Sequence, residues 1–485
     1  MRDFDPDRYV RLVQREETLR MRGRVRKVIG TVIEGTLPDC SIGQLCEIDP
    51  GDGREPIRAE VVGFREERVL IMPLGEIRGL KPGCIIRTLR ATPTVPVGPD
   101  LLGRVMNGLG EPIDGGPPPH HEQVYPIYTD PVNAFDRQRI REPLDLGVRA
   151  VNGLLTCGVG QRIGIMAGSG VGKSTLLGMY ARQTRADVNV IGLIGERGRE
   201  LKEFIERDLG HQGLARSVVI TATSDRSPLE RVRAAFVATA VAEYFRDQGN
   251  NVLLMMDSVT RFALAQREIG LSIGEPPTTR GYPPSVFSLL PKLLERAGMG
   301  SSQMGGITGL YTVLVDGDDM NEPVADAIRA ILDGHIVLSR DLADRGHYPA
   351  IDVLASKSRL MPELISERHQ QAAVEVLSLI AAYRRVETLI NIGAYVAGSD
   401  PTVDRAIQMR AAIQEYLRQG VLESSSLEES IAGLNRLLRK AHEDCSQNQA
   451  ASEQQPRPRR SPQQAPPQGP SRDFEHTKGF QPSMP

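Results

Sequence analysis

The sequence predicts an α/β fold centred on a mostly parallel sheet, with a small β-barrel before it and a helical domain after it. Three observations carry this prediction. Between about residues 150 and 360, short apolar runs alternate with helical stretches, the pattern of strands covered on both faces by crossover helices. Residues 23–95 hold short β-rich runs broken by Gly, Pro and Asp at even spacing, as in a small closed barrel. Residues 363–443 lose the strand pattern and turn helical.

The chain opens with a segment, residues 1–22, containing "DRYVRLVQREETLRMR". Tyr9, Val10, Leu12, Val13, Leu19 and Met21 fall at loosely helical spacing among charges, so an exposed amphipathic helix is expected, either fraying surface or a docking segment for a partner. In the barrel region "VRKVIGTVIEGTL", "QLCEIDP", "IRAEVVGFREERVLIMPL" and "CIIRTLRAT" read as successive strands. A Pro/Gly-rich connector, "TPTVPVGPDLLGRVMNGLGEPIDGGPPPHH", leads into the central domain, residues 96–362. Its His120 and His121 have no further ligand at metal spacing and read as exposed loop histidines. Within the central domain "RIGIMA", "VNVIGLIG", "SVVITAT", "NVLLMMD", "GLYTVLV" and "AIDVLAS" read as buried parallel strands.

In the helical domain, "SLEESIAGLNRLL" begins with a capping box, Ser426 and Glu429, and aligns Leu427, Ile431, Leu434 and Leu438 on one face. From residue 444 to 485 the composition collapses to Pro, Gln, Ser and Arg. Such a tail cannot bury enough apolar surface to offset its ordering entropy and is expected to be disordered.

Composition narrows the function. A formal charge of −2 gives no basic field for nucleic acid or anionic lipid, and with no Trp and 4% aromatics a base-stacking platform is disfavoured. The five cysteines form no CxxC pair and read as reduced thiols of a cytosolic protein. The start "MRDFDPDRYV" lacks the basic and apolar regions of a signal peptide, and no apolar run approaches a membrane span.

The chemistry is concentrated in "AGSGVGKSTLL". A glycine-rich turn between a strand and a helix exposes a row of backbone N–H groups at the positive end of the helix dipole, an anion site most often filled by polyphosphate. Lys173 is placed to reach the β- and γ-phosphates, and the Ser174 hydroxyl to ligate Mg²⁺. The pattern G-x-x-x-x-G-K-[ST] is met except at its first position, where Ala167 stands, while Gly168, Gly170 and Gly172 keep the loop flexible. Asp257 ends the run "NVLLMMD" at a strand's carboxyl edge, where ligands of parallel sheets bind. It is either a metal-side aspartate acting through water or a cap for the next helix. Glu196 ends "VNVIGLIGE" at the same edge, either polarising the attacking water or joining Arg197, Arg199 and Glu200 in an ion-pair cluster. Arg359 follows another predicted strand, near a domain junction that a neighbouring subunit's site could reach.

Together, "GSGVGKST", "GERGRE", "LLMMDSVTRF", "GEPPTTRGYPPSVF" and "PAIDVLASKS" resemble the catalytic chains of rotary ATP synthases and, more closely, the ATPases of type III protein export. Longer stretches such as "ATSDRSPLERVRAAFVATAVAEYFRDQG" and "YTVLVDGDDMNEPVADAIRAILDGHIVLSRDLA" are similar to the flagellar branch. The resemblance covers roughly residues 23–440. It implies a β-barrel, a RecA-like P-loop domain and a C-terminal helical domain, assembled as a homohexameric ring with ATP and Mg²⁺ at sites between subunits. Position by position it implies phosphate binding by Gly168, Ser169, Gly170, Val171, Gly172, Lys173, Ser174 and Thr175. Glu196 becomes the catalytic carboxylate, Arg197 and Asp257 belong to the site, Tyr348 lies against adenine, and Arg359 is the finger supplied by a neighbour. The implied partners are a regulator at the N-terminal segment, a central-stalk protein, the export gate and chaperone–substrate complexes, at the cytoplasmic face of an export apparatus. The alternatives are an injection-type secretion ATPase, a proton-linked synthase subunit and, remotely, a ring-shaped nucleic-acid motor.

Overall fold

Six antiparallel strands close the N-terminal barrel: β1 (Arg22–Ile29), β2 (Val32–Thr36), β3 (Leu45–Asp49), β4 (Ile57–Arg65), β5 (Arg68–Pro73) and β6 (Ile85–Thr88), in the order β1-β2-β5-β4-β3-β6. The computed structural model describes residues 22–89, 93–315, 319 and 322–439. The expected docking helix before residue 22 and the Pro/Gln-rich tail lie outside the described residues. The four runs expected in the barrel become six strands because two of them fold back at two-residue loops. Gly30 (φ 56°) and Glu66 (φ 53°) supply the left-handed conformation that such a hairpin needs. Gly30 is an ordinary signal for this; Glu66 is not. Val25, Ile33, Ile48, Val61 and Ile71 alternate into the barrel core.

The central sheet has nine strands, eight of which form its main path: β7 (Val105–Asn107), β8 (Arg162–Ala167), β9 (Val188–Ile194), β10 (Ser217–Ala222), β11 (Val252–Asp257), β12 (Gly306–Leu314), β13 (Gly334–Leu338) and β14 (Ile351–Ser358). Their order is β14-β13-β8-β12-β11-β9-β10-β7. All neighbouring pairs from β13 to β7 are parallel.

The edge strand β14 corrects the expectation that "AIDVLAS" is parallel: it runs antiparallel to β13. The reason is the link between them. It holds one five-residue helix and closes where Ser339 N–H donates to Ala350 O at 2.8 Å, so the chain turns back instead of crossing over. β13 and β7 had no counterpart among the expected strands. β7 is three residues long and comes from the connector, where Gly and Pro mask it.

The principal helices are α1 (Lys173–Gln183), α2 (Gly198–Glu203), α3 (Pro228–Asp247), α4 (Val259–Ile273), α5 (Pro323–Ile331), α6 (Arg340–Asp344), α7 (Glu367–Asn391) and α8 (Pro401–Leu417). α3 is buried along nearly its whole length against β9, β10 and β11, which explains its Ala/Val-rich sequence with no polar face. α7 and α8 pack together, and a further helix covers 427–439. The expected capping box is formed: Glu429 N–H donates to Ser426 Oγ at 3.1 Å, and Ser426 N–H donates to Glu429 Oε2 at 2.9 Å. Among the described residues no helix is long and apolar enough to cross a membrane, and His120 and His121 are exposed.

Candidate active site

β8 ends at Ala167, which borders the phosphate-loop cleft but is almost fully buried, so the departure from the pattern adds only one packed methyl group there. Gly170 (φ 79°) and Gly172 (φ 90°) hold left-handed conformations that a side chain would strain. Gly172 is the N-cap of α1, and no side chain caps the helix. Its first N–H groups are therefore left for an anion, where the helix dipole favours negative charge. The loop from Gly168 to Thr175 borders a cleft of about 430 Å3, closed on its other side by Glu196, Arg197, Glu200 and Arg261. Val171 is the exception. Its side chain is buried, so within the loop it can offer only its backbone.

Three charged groups meet at the head of this cleft. Lys173 Nζ donates to Asp257 Oδ1 and lies 3.7 Å from Glu196 Oε1. The three come from α1, the end of β11 and the second residue after β9, and they converge because parallel strands deliver their carboxyl ends to one edge. Burial opposes the Lys173 charge, but Asp257 and then Glu196 outweigh it and hold the ammonium above its ordinary range. Glu196 is pushed up to about 7, by burial first and the Asp257 charge second, with Lys173 pulling the other way.

Asp257 is fixed by a hydrogen bond from Thr312 Oγ1 at 2.7 Å, donated from the neighbouring strand β12. It does not cap the next helix. That place is taken by Ser258, whose Oγ accepts from Arg261 N–H at 3.3 Å. In the cluster expected around Glu196, Arg197 pairs with Glu200 at 3.6 Å and Arg199 with Glu203 at 3.2 Å, and Glu196 joins through a side-chain hydrogen bond with Glu200, not through an arginine. The Arg197 side chain is largely exposed at the mouth of the cleft.

Tyr348 is also brought to the phosphate loop: a Cβ at Gly172 would stand 3.5 Å from Tyr348 Cδ1 and Cε1. Gln419 N–H donates to Tyr348 O at 3.0 Å, tying the segment after α8 to this corner. Arg359 is not brought to the cleft. β13 and β8 pair with Leu338 beside Ala167, at the phosphate-loop end, whereas Ser358 lies opposite Gly334 at the other end. That separation is four strand residues, about 13 Å.

Sequence reasoning missed Arg261. It follows Asp257 by four residues on α4, its side chain packs on Gly195 beside Glu196, and its guanidinium lines the cleft. The only signal was its position one helical turn after a strand-end aspartate. Arg340 was missed as well; it donates to Ser169 O at 3.2 Å and braces the loop from behind.

Comparison with known proteins agrees with this architecture region by region. Family profiles match for the ATP synthase alpha/beta family, beta-barrel domain, over residues 25–90 and its nucleotide-binding domain over 147–358. The T3SS EscN ATPase C-terminal domain profile matches over 365–436. The flagellum-specific ATP synthase of Bacillus subtilis is 53% identical over 428 residues, 88% of this chain and 97% of that one. The type 3 secretion system ATPase of Xanthomonas euvesicatoria is 53% identical over 412 residues, 85% of this chain and 93% of that one. Among solved structures, the assembled ATPase EscN of the enteropathogenic E. coli type III secretion system superposes with a TM-score of 0.81 at 47% identity. It covers 86% of this chain and 99% of its own. EscN in complex with its central stalk EscO gives a TM-score of 0.79. With half of its residues shared across nearly its whole described length, this chain belongs to the ATP synthase alpha/beta family, on the branch of flagellum-specific and type 3 secretion ATPases.

Proposed function

We propose that this chain binds ATP on the loop from Gly168 to Thr175 and hydrolyses it with Mg²⁺ to energise type III protein export in the flagellar machinery. The observation that carries the reading is the convergence of Lys173, Glu196 and Asp257 at the start of an uncapped helix. The injection-type reading stands beside the flagellar one, because the Bacillus and Xanthomonas relatives are equally identical at 53%.

Lys173 meets the β- and γ-phosphates, and backbone N–H groups of the loop take the remaining phosphate oxygens. Glu196 accepts the proton of the water that attacks the γ-phosphorus while the bond to the β–γ bridging oxygen breaks. Arg197 and Arg261 lie where they can meet phosphate charge at the mouth, and Tyr348 offers a face for adenine.

Among the described residues no group of three or more His, Cys, Asp or Glu could hold a metal by itself. The residues present offer the exposed Ser174 hydroxyl and the Asp257 carboxylate, whose Oδ1 is already engaged. So sparse an oxygen set fits Mg²⁺, which keeps several waters and takes substrate phosphate oxygens. When bound, the ion neutralises phosphate charge.

Arg359 serves a neighbouring subunit's site, so the functional unit is a homohexameric ring. The solved assembly of EscN and its complex with a central stalk support a ring and a stalk partner here. The segment 1–22 docks a regulator, and the ring works at the cytoplasmic face of the apparatus with the export gate and chaperone–substrate complexes.

Lys173→Ala is expected to abolish turnover. Glu196→Gln is expected to keep nucleotide binding and to lose about 10²–10⁴-fold in hydrolysis, the usual worth of a positioned base. Fluorescent-nucleotide titration with phosphate release on both variants decides the matter, and full activity in the glutamine variant overturns the role of Glu196.

A further inference from the structure

The far end of β14 carries more than Arg359. In the β13–β14 ladder His335 stands opposite Lys357, and residues opposite one another in an antiparallel pair present their side chains to one face. Arg359 follows Lys357 by two residues and prolongs the pairing, its N–H donating to Asp333 O at 3.0 Å, so it shares that face. The Arg359 guanidinium donates to Arg329 O at 3.1 Å, which brings the end of α5 into the group. Four basic side chains thus crowd one spot.

Two acidic groups nearby, Asp333 and Asp326, are already engaged. Asp333 accepts from Arg162 Nε at 3.1 Å and Nη2 at 3.2 Å, and Asp326 accepts from Arg329 at 2.9 Å. His335 is held toward its neutral form. Burial first, and then Arg329, Arg359 and Lys357, hold its imidazole below the ordinary range, against the hydrogen bond between Nε2 and Ala355 O. Lys357 is exposed, and its side chain has no ion pair or hydrogen bond among the described residues. Two adjacent cations lacking a carboxylate partner repel each other, and a polyvalent anion is the ligand that turns this repulsion into binding.

We propose that Lys357 is a second cation delivered to the neighbouring subunit's nucleotide, so that Lys357 and Arg359 grip one triphosphate at two points. The proposal rests on Arg359 acting in trans. Lys357, a flexible point charge, meets the γ-phosphate of bound ATP, while the planar Arg359 guanidinium is matched to the charge spread over the transferring phosphoryl group. Lys357 therefore acts mainly on ATP binding and Arg359 mainly on turnover. ADP, which lacks the γ-phosphate, escapes the Lys357 contact.

The test uses the full chain in rings whose assembly is measured by light scattering. Lys357→Met is expected to raise KM for ATP about tenfold, the worth of one charge-assisted hydrogen bond. In the same variant kcat should change little and ADP affinity should stay as in the parent. Lys357→Arg restores KM, and mixing Lys357→Met chains with Lys173→Ala chains returns part of the parent KM. The Arg359→Ala and Lys173→Ala mixture is the separate check on the trans arrangement, and if confirmed mixed rings gain no activity, both readings fall. If that mixture recovers while Lys357→Met rings keep the parent KM, the Lys357 proposal alone is overturned. Rings that assemble poorly, with an unchanged KM in those that form, would make Lys357 a subunit-contact residue and overturn it equally.

Discussion

Glu196 sits between opposing influences, and in its proposed role as the base the balance sets the pH at which the site can work. Burial and Asp257 raise its carboxyl to about 7, while Lys173 at 3.7 Å draws it down. A general base acts only when ionised, and its ionised fraction grows as pH rises through that value. The kcat/KM for ATP should therefore climb with pH on an acidic limb centred near 7 and level off above it. Initial rates across neutrality check this, and Glu196→Gln should leave a low, flat profile; a limb that survives in that variant belongs to another group. Lys173 was legible from the glycine run before it, and Asp257 and Glu196 because each closes an apolar strand run. Arg261 was not. A charged residue in the first turn of α4 reads as surface until packing against Gly195 shows it turned into the cleft.

Among the elements, α3 shows how a helix without a polar face handles its charges. Glu243 lies on its buried surface and accepts from Arg296 at 2.8 Å (Nε) and 2.5 Å (Nη2), and Arg296 is 1% exposed. A third bond, from Arg296 Nη1 to Ile127 O at 2.5 Å, ties the segment after the connector to the core. Glu243→Ala leaves a buried guanidinium without its carboxylate, and the loss of stability should be about 3–5 kcal/mol. Exchanging both residues for methionine should recover much of it, because the stranded charge is gone. Urea unfolding of the two variants makes the comparison. The sequence pattern predicted the helix but not this partner, which lies 53 residues on. Strand direction was equally hidden. "AIDVLAS" has the apolar run of a parallel core strand, and only the short link closed by Ser339 and Ala350 reverses it.

For the whole molecule, that reversal separates two residues only eleven positions apart in the chain, Tyr348 and Arg359. Tyr348 stays with its own phosphate loop, while Arg359 is carried about 13 Å down the sheet edge, out of reach of the site in its own chain. If it completes a neighbour's site, activity per chain should rise steeply with protein concentration as rings assemble. Arg359→Ala should bind ATP almost normally yet turn over slower by roughly a thousandfold or more, the usual worth of such a finger. Specific activity followed through a dilution series, with light scattering on the same samples, measures this. Specific activity independent of assembly state would remove Arg359 from the mechanism.

By itself the sequence determined the order of barrel, parallel sheet and helical domain, the phosphate loop and the two strand-end carboxylates. Each of these is local: a period of apolar residues, a run of glycines before a lysine, a carboxylate closing an apolar strand. Tertiary structure decided the rest, because the rest depends on which segments become neighbours. It set β14 against β13 in reverse, gave the helix cap to Ser258 and so freed Asp257 for Lys173, and turned Arg261 into the cleft. Lys357 beside Arg359 is readable as spacing, but that both crowd His335 and Arg329 at the sheet's far end follows from strand register, which no single stretch of sequence encodes.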